Sequence, residues 1–336
     1  MDEPTRPRHI SRLPLSPRRI ASTSVARREA GESLLTEAAE WVAVDWGTSN
    51  VRAWGIATDG TGSFAAQSDR GMGRIGPTDY AAALGDLIGS HVAAGTPVII
   101  CGMAGARQGW CEAPYLDTPA DLYRLAAGAV RPSDTPYPVS ILPGICQRTA
   151  GDEDVMRGEE TQLLGLLRLR PGFEGTVVLP GTHSKWAEIR GGRIVRFSTA
   201  MTGELYEILS QHSVLRHAFA TGPLEGPETE AGVAEGLRAG LEHPGRVTSL
   251  VFRTRAAALL AGRGADWCSG YLSGLLVGAE IGGHRDWLGT VPVPLIGSAR
   301  FGRLYGAGLA LLGLAGEPVD AAAATIAGLI AARSQP

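Results

Sequence analysis

The sequence predicts an α/β protein built from two related halves. Three observations carry that expectation. A chain of 336 residues, 44% of them hydrophobic, is long enough for about two domains with sizeable cores. Abundant glycine (46 residues) with few aromatics (6%) suits a loop-rich α/β enzyme rather than a fibrous or disordered chain. One strand–turn–strand wording also occurs twice, with Gly181 standing 134 positions after Gly47.

The first copy is Trp41-Val-Ala-Val-Asp45-Trp-Gly-Thr-Ser-Asn50, followed by Val-Arg-Ala-Trp-Gly-Ile-Ala57. It reads as an apolar strand, a tight turn at Gly47 and a second strand, and Asp59-Gly-Thr-Gly62 then turns the chain into a third strand over 63–68. A turn rich in Gly, Thr and Ser gathers backbone N–H groups and hydroxyls into a concavity that suits phosphate oxygens. Gly47, Thr48, Ser49 and Asn50 are therefore candidate phosphate ligands. Asp45 ends the buried strand, and a carboxylate there suits Mg²⁺, which takes one or two carboxylates plus phosphate oxygens and water.

A glycine-rich loop follows the buried strand that begins at Pro97, in Cys101-Gly-Met-Ala-Gly-Ala-Arg-Gln-Gly-Trp110. Ligands of open α/β sheets bind beyond the carboxyl ends of strands, so this loop is a candidate substrate wall. Next comes the densest run of acids, Gly151-Asp-Glu-Asp-Val-Met-Arg-Gly-Glu-Glu160, leading into a helix with Leu163, Leu164, Leu166 and Leu167 on its apolar face. Glu159 and Glu160 fall in its first turn. Two roles account for them: complementing the helix dipole, or acting as the general base that takes a hydroxyl proton from a phosphate acceptor. Asp152, Glu153 and Asp154 read as a solvated loop.

The second copy is Thr176-Val-Val-Leu-Pro-Gly181-Thr-His-Ser-Lys-Trp-Ala-Glu-Ile189, with a Gly191-Gly192 turn and a third strand over 193–198. Gly181, Thr182 and Ser184 are its candidate phosphate ligands, while His183 reads as a hydrogen-bonding residue of the turn. A short strand over 291–296 and the turn Gly297-Ser298 lead into an apolar helix over 299–312. That turn is either a plain strand–helix connection or a place where the backbone approaches a purine and its ribose.

Charge excludes several classes. Of 31 basic residues only Lys185 is lysine. It follows Ser184, so no P-loop is present. A protein-kinase core would need it as the strand lysine, and any Schiff-base chemistry, such as a lysine-dependent aldolase, would run through it alone. Cys101, Cys111, Cys146 and Cys268 have neither disulfide nor metal spacing and read as cytosolic thiols. No apolar stretch is long enough to span a membrane. Residues 1–30 hold seven Arg against Asp2, Glu3 and Glu29, in a proline-bearing basic tail expected to extend over 1–40. The remainder is acidic, which argues against nucleic acid as a partner.

Taken together, the strings resemble the 2-dehydro-3-deoxygalactonokinase family, within the superfamily of sugar kinases, Hsp70 and actin. The matching pieces are Asp45-Trp-Gly-Thr-Ser-Asn50, Gly102-Met103 with Gly109-Trp110, Ala113-Pro-Tyr-Leu116, Val155-Met-Arg-Gly-Glu-Glu-Thr-Gln162, Pro180-Gly-Thr-His-Ser-Lys-Trp186, Met201-Thr-Gly-Glu-Leu205 and Leu272-Ser-Gly-Leu-Leu276. They occur in family order over roughly 41–315, and the loop 104–108 departs from the pattern.

The resemblance implies two ribonuclease-H-like, actin-like ATPase domains around a nucleotide cleft. They would cover 41–155 and 156–316, with a C-terminal helix over 317–334 completing the first. It implies ATP and Mg²⁺ as cofactors and phosphorylation of 2-dehydro-3-deoxy-D-galactonate at its 6-hydroxyl in galactonate breakdown. Asp45 would hold the metal, Glu159, Glu160 and Lys185 would be catalytic, and Gly297 and Ser298 would sit near adenosine. Arg157, Arg107, Trp110, His183 and Glu204 would meet the substrate. A cytoplasmic protein with a small-molecule substrate and no membrane partner is expected, and a homodimer is compatible with it. Two alternatives remain: a kinase of another sugar acid, such as 2-keto-3-deoxygluconate, and an ATP-driven switch or activator ATPase.

Overall fold

The structure, a computed structural model, describes residues 38–219 and 225–335, so the expected basic tail lies outside the described residues but for its last three positions. The first sheet grows from β1 (Trp41–Trp46), an apolar run covered on both faces, as befits a central strand. It pairs antiparallel with β2 (Val51–Ile56), and β2 pairs antiparallel with β3 (Gly62–Ser68). Helix α1 (Tyr80–Ile88) leads to β4 (Val98–Gly102), parallel to β1. After the short strands β5 (Tyr115–Asp117) and β6 (Ala120–Asp121), β7 (Val139–Ile141) joins parallel to β4. The order is β3-β2-β1-β4-β7. A small sheet of β5, β8 (Gly144–Gln147) and β9 (Asp154–Met156) then delivers the chain to α2 (Glu159–Leu169).

The second sheet repeats the plan. β10 (Gly175–Leu179) pairs antiparallel with β11 (Ser184–Arg190), and β11 with β12 (Arg193–Ala200). Helices α3 (Thr202–Gln211), α4 (Pro227–Glu242), α5 (Val247–Leu250), α6 (Arg253–Ala261) and α7 (Ala265–Gly283) intervene before β13 (Val293–Gly297), parallel to β10. Helix α8 (Ala299–Ala310) leads to β14 (Gly316–Asp320), parallel to β13, and α9 (Ala321–Arg333) follows. Read from its opposite edge, the order β14-β13-β10-β11-β12 matches the first sheet strand for strand, with β6 added beside β12. The helix expected over 317–334 therefore begins only at Ala321. Pro318 disfavours helix before it, residues 316–320 pair with β13, and the Asp320 carboxylate caps α9 by accepting from the Ala323 N–H at 2.7 Å.

Alternation along the strands sorts the core into layers. Val42, Val44 and Trp46 pack with α1 on one side of the first sheet, whereas Trp41 and Ala43 face α2. Val178 and Trp186 pack with α4, α7 and α8 beyond the second sheet, whereas Val177, Leu179 and Ala187 face α2 and α9. Helices α2 and α9 thus lie between the two sheets. They cross where a Cβ on Gly165 would stand 1.8 Å from the Ala324 carbonyl oxygen and one on Gly328 would stand 1.9 Å from that of Thr161. Close approach also explains much of the glycine content assigned above to loops. Gly232, Gly236 and Gly240 of α4 press onto α7, whose Gly270, Gly274 and Gly278 press back.

Candidate active site

The carboxyl ends of β1, β4, β10, β13 and β14 all open onto one cleft of about 640 Å³. Asp45, Gly47 and Thr48 line it from the first sheet, and Gly181, Thr182, His183, Gly297 and Ser298 line it from the second. Arg157, Glu159 and Gln162 enter at the start of α2, and Asp320 enters at the start of α9.

The first turn is shaped from behind. Gly47 N–H donates to the Asn50 carbonyl at 2.8 Å, while the Gly47, Thr48 and Ser49 carbonyls accept from Met72, Gly73 and Gly71 at 3.0, 2.8 and 3.3 Å. With its carbonyls occupied, the turn offers the N–H groups of Thr48, Ser49 and Asn50, for which no backbone acceptor occurs among the described residues. Ser49 and Asn50 themselves are exposed outside the cleft lining. The second turn is backed in the same way, by the Glu204 N–H at the start of α3 donating to the Thr182 carbonyl at 3.0 Å. Glu204 also pairs through its carboxylate with His183, which matches the turn role expected for that histidine.

Ser184 departs from the expectation of a phosphate ligand. It begins β11, where alternation turns it with Trp186 toward the outer core. There it is fully buried and shares a 2.8 Å hydrogen bond with the Tyr305 hydroxyl. Tyr305 and Trp186 in turn each donate to the buried Glu280 carboxylate at 2.7 Å. Arg107 is exposed and bonded to Glu112, outside the lining. Trp110 lies outside it too, donating from its indole to Asp134 and packing near Trp46 and Tyr80.

Lys185 points the other way from Ser184. It is buried, its ammonium donates to the Thr199 hydroxyl at 2.7 Å, and it does not line the cleft. No lysine amine therefore stands in the cleft for aldolase chemistry.

Carboxylates concentrate at the start of α2. Burial pushes the Glu159 carboxyl above its ordinary range, and the Lys185 charge pulls it back. Glu159 lines the cleft and accepts from the Arg157 N–H at 3.1 Å. Glu160 is fully buried outside the lining, accepting from the Gly158 N–H at 2.7 Å and the Thr161 hydroxyl at 3.1 Å. Burial, and then the neighbouring Glu159, push it up to about 8. The two acids left open by the sequence are thus placed differently: Glu159 faces ligand space and Glu160 faces the core. Burial also raises Asp45, opposed by the charge of Arg52, a cleft residue of β2 that sequence reasoning missed. The Asp45 carboxylate has no hydrogen-bond donor among the described residues, so its oxygens remain available to a cation.

Arg157 stacks on the Tyr115 ring at 4.4 Å and donates to the Ala113 carbonyl at 2.9 Å. Its Nε and Nη1 groups are buried without a partner. Asp320 and Gln162 were also missed, because a cap and a helix amide carry no chemical signature in sequence. Asp154, read above as a solvated loop residue, is instead tied to the second sheet. Its carboxylate accepts from the Thr199 N–H at 2.6 Å and the Thr199 hydroxyl at 2.7 Å.

Twin Gly-Thr turns, a donor-free carboxylate and a helix-start acid around one cleft are the features of a mixed α/β phosphotransferase. Comparison with known proteins agrees. The family model described as 2-keto-3-deoxy-galactonokinase matches residues 45–332, and the chain belongs to that family. A probable 2-dehydro-3-deoxygalactonokinase of Rhizobium meliloti (strain 1021) is 43% identical over 303 residues, covering 89% of this chain and 98% of the relative. The 2-dehydro-3-deoxygalactonokinase of Escherichia coli (strain K12) is 36% identical over 250 residues, 74% of this chain and 82% of the relative. A crystal structure from Sinorhizobium meliloti, provisionally given the same enzyme name, superposes with a TM-score of 0.81 at 41% identity, over 87% of this chain and 95% of that one. Among the described residues no helix is long and apolar enough to cross a membrane.

Proposed function

We propose that the chain transfers the γ-phosphoryl group of ATP to the 6-hydroxyl of 2-dehydro-3-deoxy-D-galactonate, giving ADP and the 6-phosphate. In this reading the two like-ordered sheets are the cores of two ribonuclease-H-like domains, and ATP lies between them. The observation that carries it is the convergence of both Gly-Thr turns, Asp45 and Glu159 on one cleft.

Phosphoryl transfer is mostly positioning and charge neutralisation. The N–H groups of Thr48, Ser49 and Asn50 hold the outer phosphates from one side and those of Gly181 to His183 from the other, with Arg52 adding a fixed charge. Gly297 and Ser298 support the adenosine. The Asp45 carboxylate would hold Mg²⁺ together with phosphate oxygens and water, a donor set that suits this ion. When bound, the ion supplies charge neutralisation across the phosphates. Glu159 accepts the proton of the 6-hydroxyl; a carboxylate raised by burial is a better base than one in water. Arg157, with two guanidinium nitrogens lacking a protein acceptor, is the contact for the substrate carboxylate.

ADP release measured against a panel of 2-keto-3-deoxy sugar acids tests the reading. Turnover with the galactonate derivative above that with its gluconate epimer is expected. ADP release indifferent to every acid in the panel would overturn it in favour of an ATPase switch.

A further inference from the structure

The chain keeps one lysine among 31 basic residues and buries it. We propose that Asp154 and Thr199 are positioning residues that fix the Lys185 ammonium against Glu159, an inference that rests on the kinase reading above. Lys185 and Thr199 are direct partners across β11 and β12. The Asp154 carboxylate takes both the N–H and the hydroxyl of Thr199, and accepts from the Val155 N–H at 2.7 Å as well. The Thr199 hydroxyl hydrogen is thereby committed to Asp154, so its lone pairs face Lys185, which donates at 2.7 Å.

Strand alternation sets the direction. Ser184 and Trp186 face the outer core, so Lys185, like Ala187, faces α2. Lys185 forms no ion pair within 4.0 Å among the described residues, yet its charge favours ionised Glu159. The Asp45 charge on β1 opposes ionised Glu159, as does its neighbour Glu160 on α2, and the Arg157 charge acts on Glu160, so Lys185 is the cation that favours ionised Glu159 from the second sheet.

Asp154 and Glu159 sit on the same short segment, 154–159. The relay therefore closes a ring: the segment that carries the base also grips the threonine that orients the cation. It explains why arginine does not replace lysine here. A planar guanidinium would bring five N–H groups in a fixed fork to a buried site that offers the Thr199 hydroxyl, whereas an ammonium brings three on a flexible stem that can swivel toward it.

A single lysine makes the test clean. Protein grown with isotope-labelled lysine gives one Nζ resonance. Thr199→Val should shift that resonance and speed its proton exchange, Asp154→Asn should shift it in the same direction, and Thr199→Ser should leave it as in the wild type. In parallel, Thr199→Val should lower kcat about tenfold, the effect expected for one charge-assisted hydrogen bond, with KM for ATP unchanged and Thr199→Ser restoring the rate. An Nζ signal in Thr199→Val that matches the wild type would overturn the inference. So would a shifted signal with full kcat. Failure of the wild type to phosphorylate any sugar acid would instead sink the kinase reading, while the resonance still reports on the relay.

Discussion

Glu160 allows a prediction with a magnitude. Its carboxyl is held at about 8 in the folded chain against an ordinary value of 4.5. Below pH 4.5 the acid is protonated in both folded and unfolded states and costs nothing. As pH rises above that value the unfolded chain releases the proton while the folded chain still holds it. Stability is therefore lost progressively up to about pH 8. At 1.36 kcal/mol per pH step the loss is about 5 kcal/mol between pH 4 and pH 8. A glutamine matches the protonated acid in shape and presents one acceptor and one donor edge to the Gly158 N–H and the Thr161 hydroxyl. Glu160→Gln should thus be close to neutral at pH 4.5 and stabilising by several kcal/mol at pH 8. Urea unfolding of both proteins across that range measures it, with wild type and variant diverging as pH rises. Parallel curves would show that Glu160 ionises freely in the folded chain and would overturn the prediction.

The remaining predictions concern the cleft and the contacts behind it. Glu159→Gln should lower kcat by a factor on the order of 10²–10⁴, as for loss of a general base, with ATP binding retained in an equilibrium titration. Arg52→Ala should raise KM for ATP, whereas Asp45→Asn, which removes the carboxylate itself, should raise the Mg²⁺ concentration needed for half-maximal rate. Ser184→Ala should cost about 1 kcal/mol of stability through its lost bond to Tyr305, and leave KM for ATP unchanged, because the hydroxyl faces the outer core.

Much of this site is legible in sequence because its signals are local. An apolar run, a Gly-Thr turn and a second strand report a hairpin within ten residues, and two such hairpins announce two sheets. The acids at Glu159 and Glu160 are equally visible, yet their separation is not. Their facing depends on which side of α2 meets the cleft and which meets the sheets, a tertiary matter. Ser184 misleads for a related reason. Its neighbours in the turn face the cleft, but β11 begins at Ser184 and alternation takes over there. Asp154 looks like one of three loop acids until the strand it caps, forty-five positions later, is in place. The glycines of α4 and α7 mislead most. They swell the glycine count that reads as loop content, whereas each presses backbone against backbone between two helices, and only the partner helix reveals it.

That lesson applies with most force where α2 crosses α9, because the crossing sets the position of the base. Glu159 precedes Gly165 by six residues, which places the first turn of α2 about 9 Å along the axis from the crossing. Asp320 and Ala321 stand at a similar distance from Gly328 on α9. The two helix starts that enter the cleft are therefore held relative to each other by a close approach of backbone to backbone, beside which Gln162 donates to the Thr325 hydroxyl at 3.2 Å. A Cβ at Gly328 would stand 1.9 Å from the Thr161 carbonyl oxygen, which belongs to the backbone and cannot swing aside. Gly328→Ala must move the helices apart by about 1 Å, and a displacement of that size at a reacting group can cost about 10²-fold in rate. The phosphate turns sit on β1 and β10, not on these helices, so KM for ATP should change little. A large fall in kcat with stability reduced by about 1–3 kcal/mol is the expected outcome. If the variant folds with wild-type kcat, the crossing does not set the base, and the position of Glu159 must come from its own bonds at the helix start.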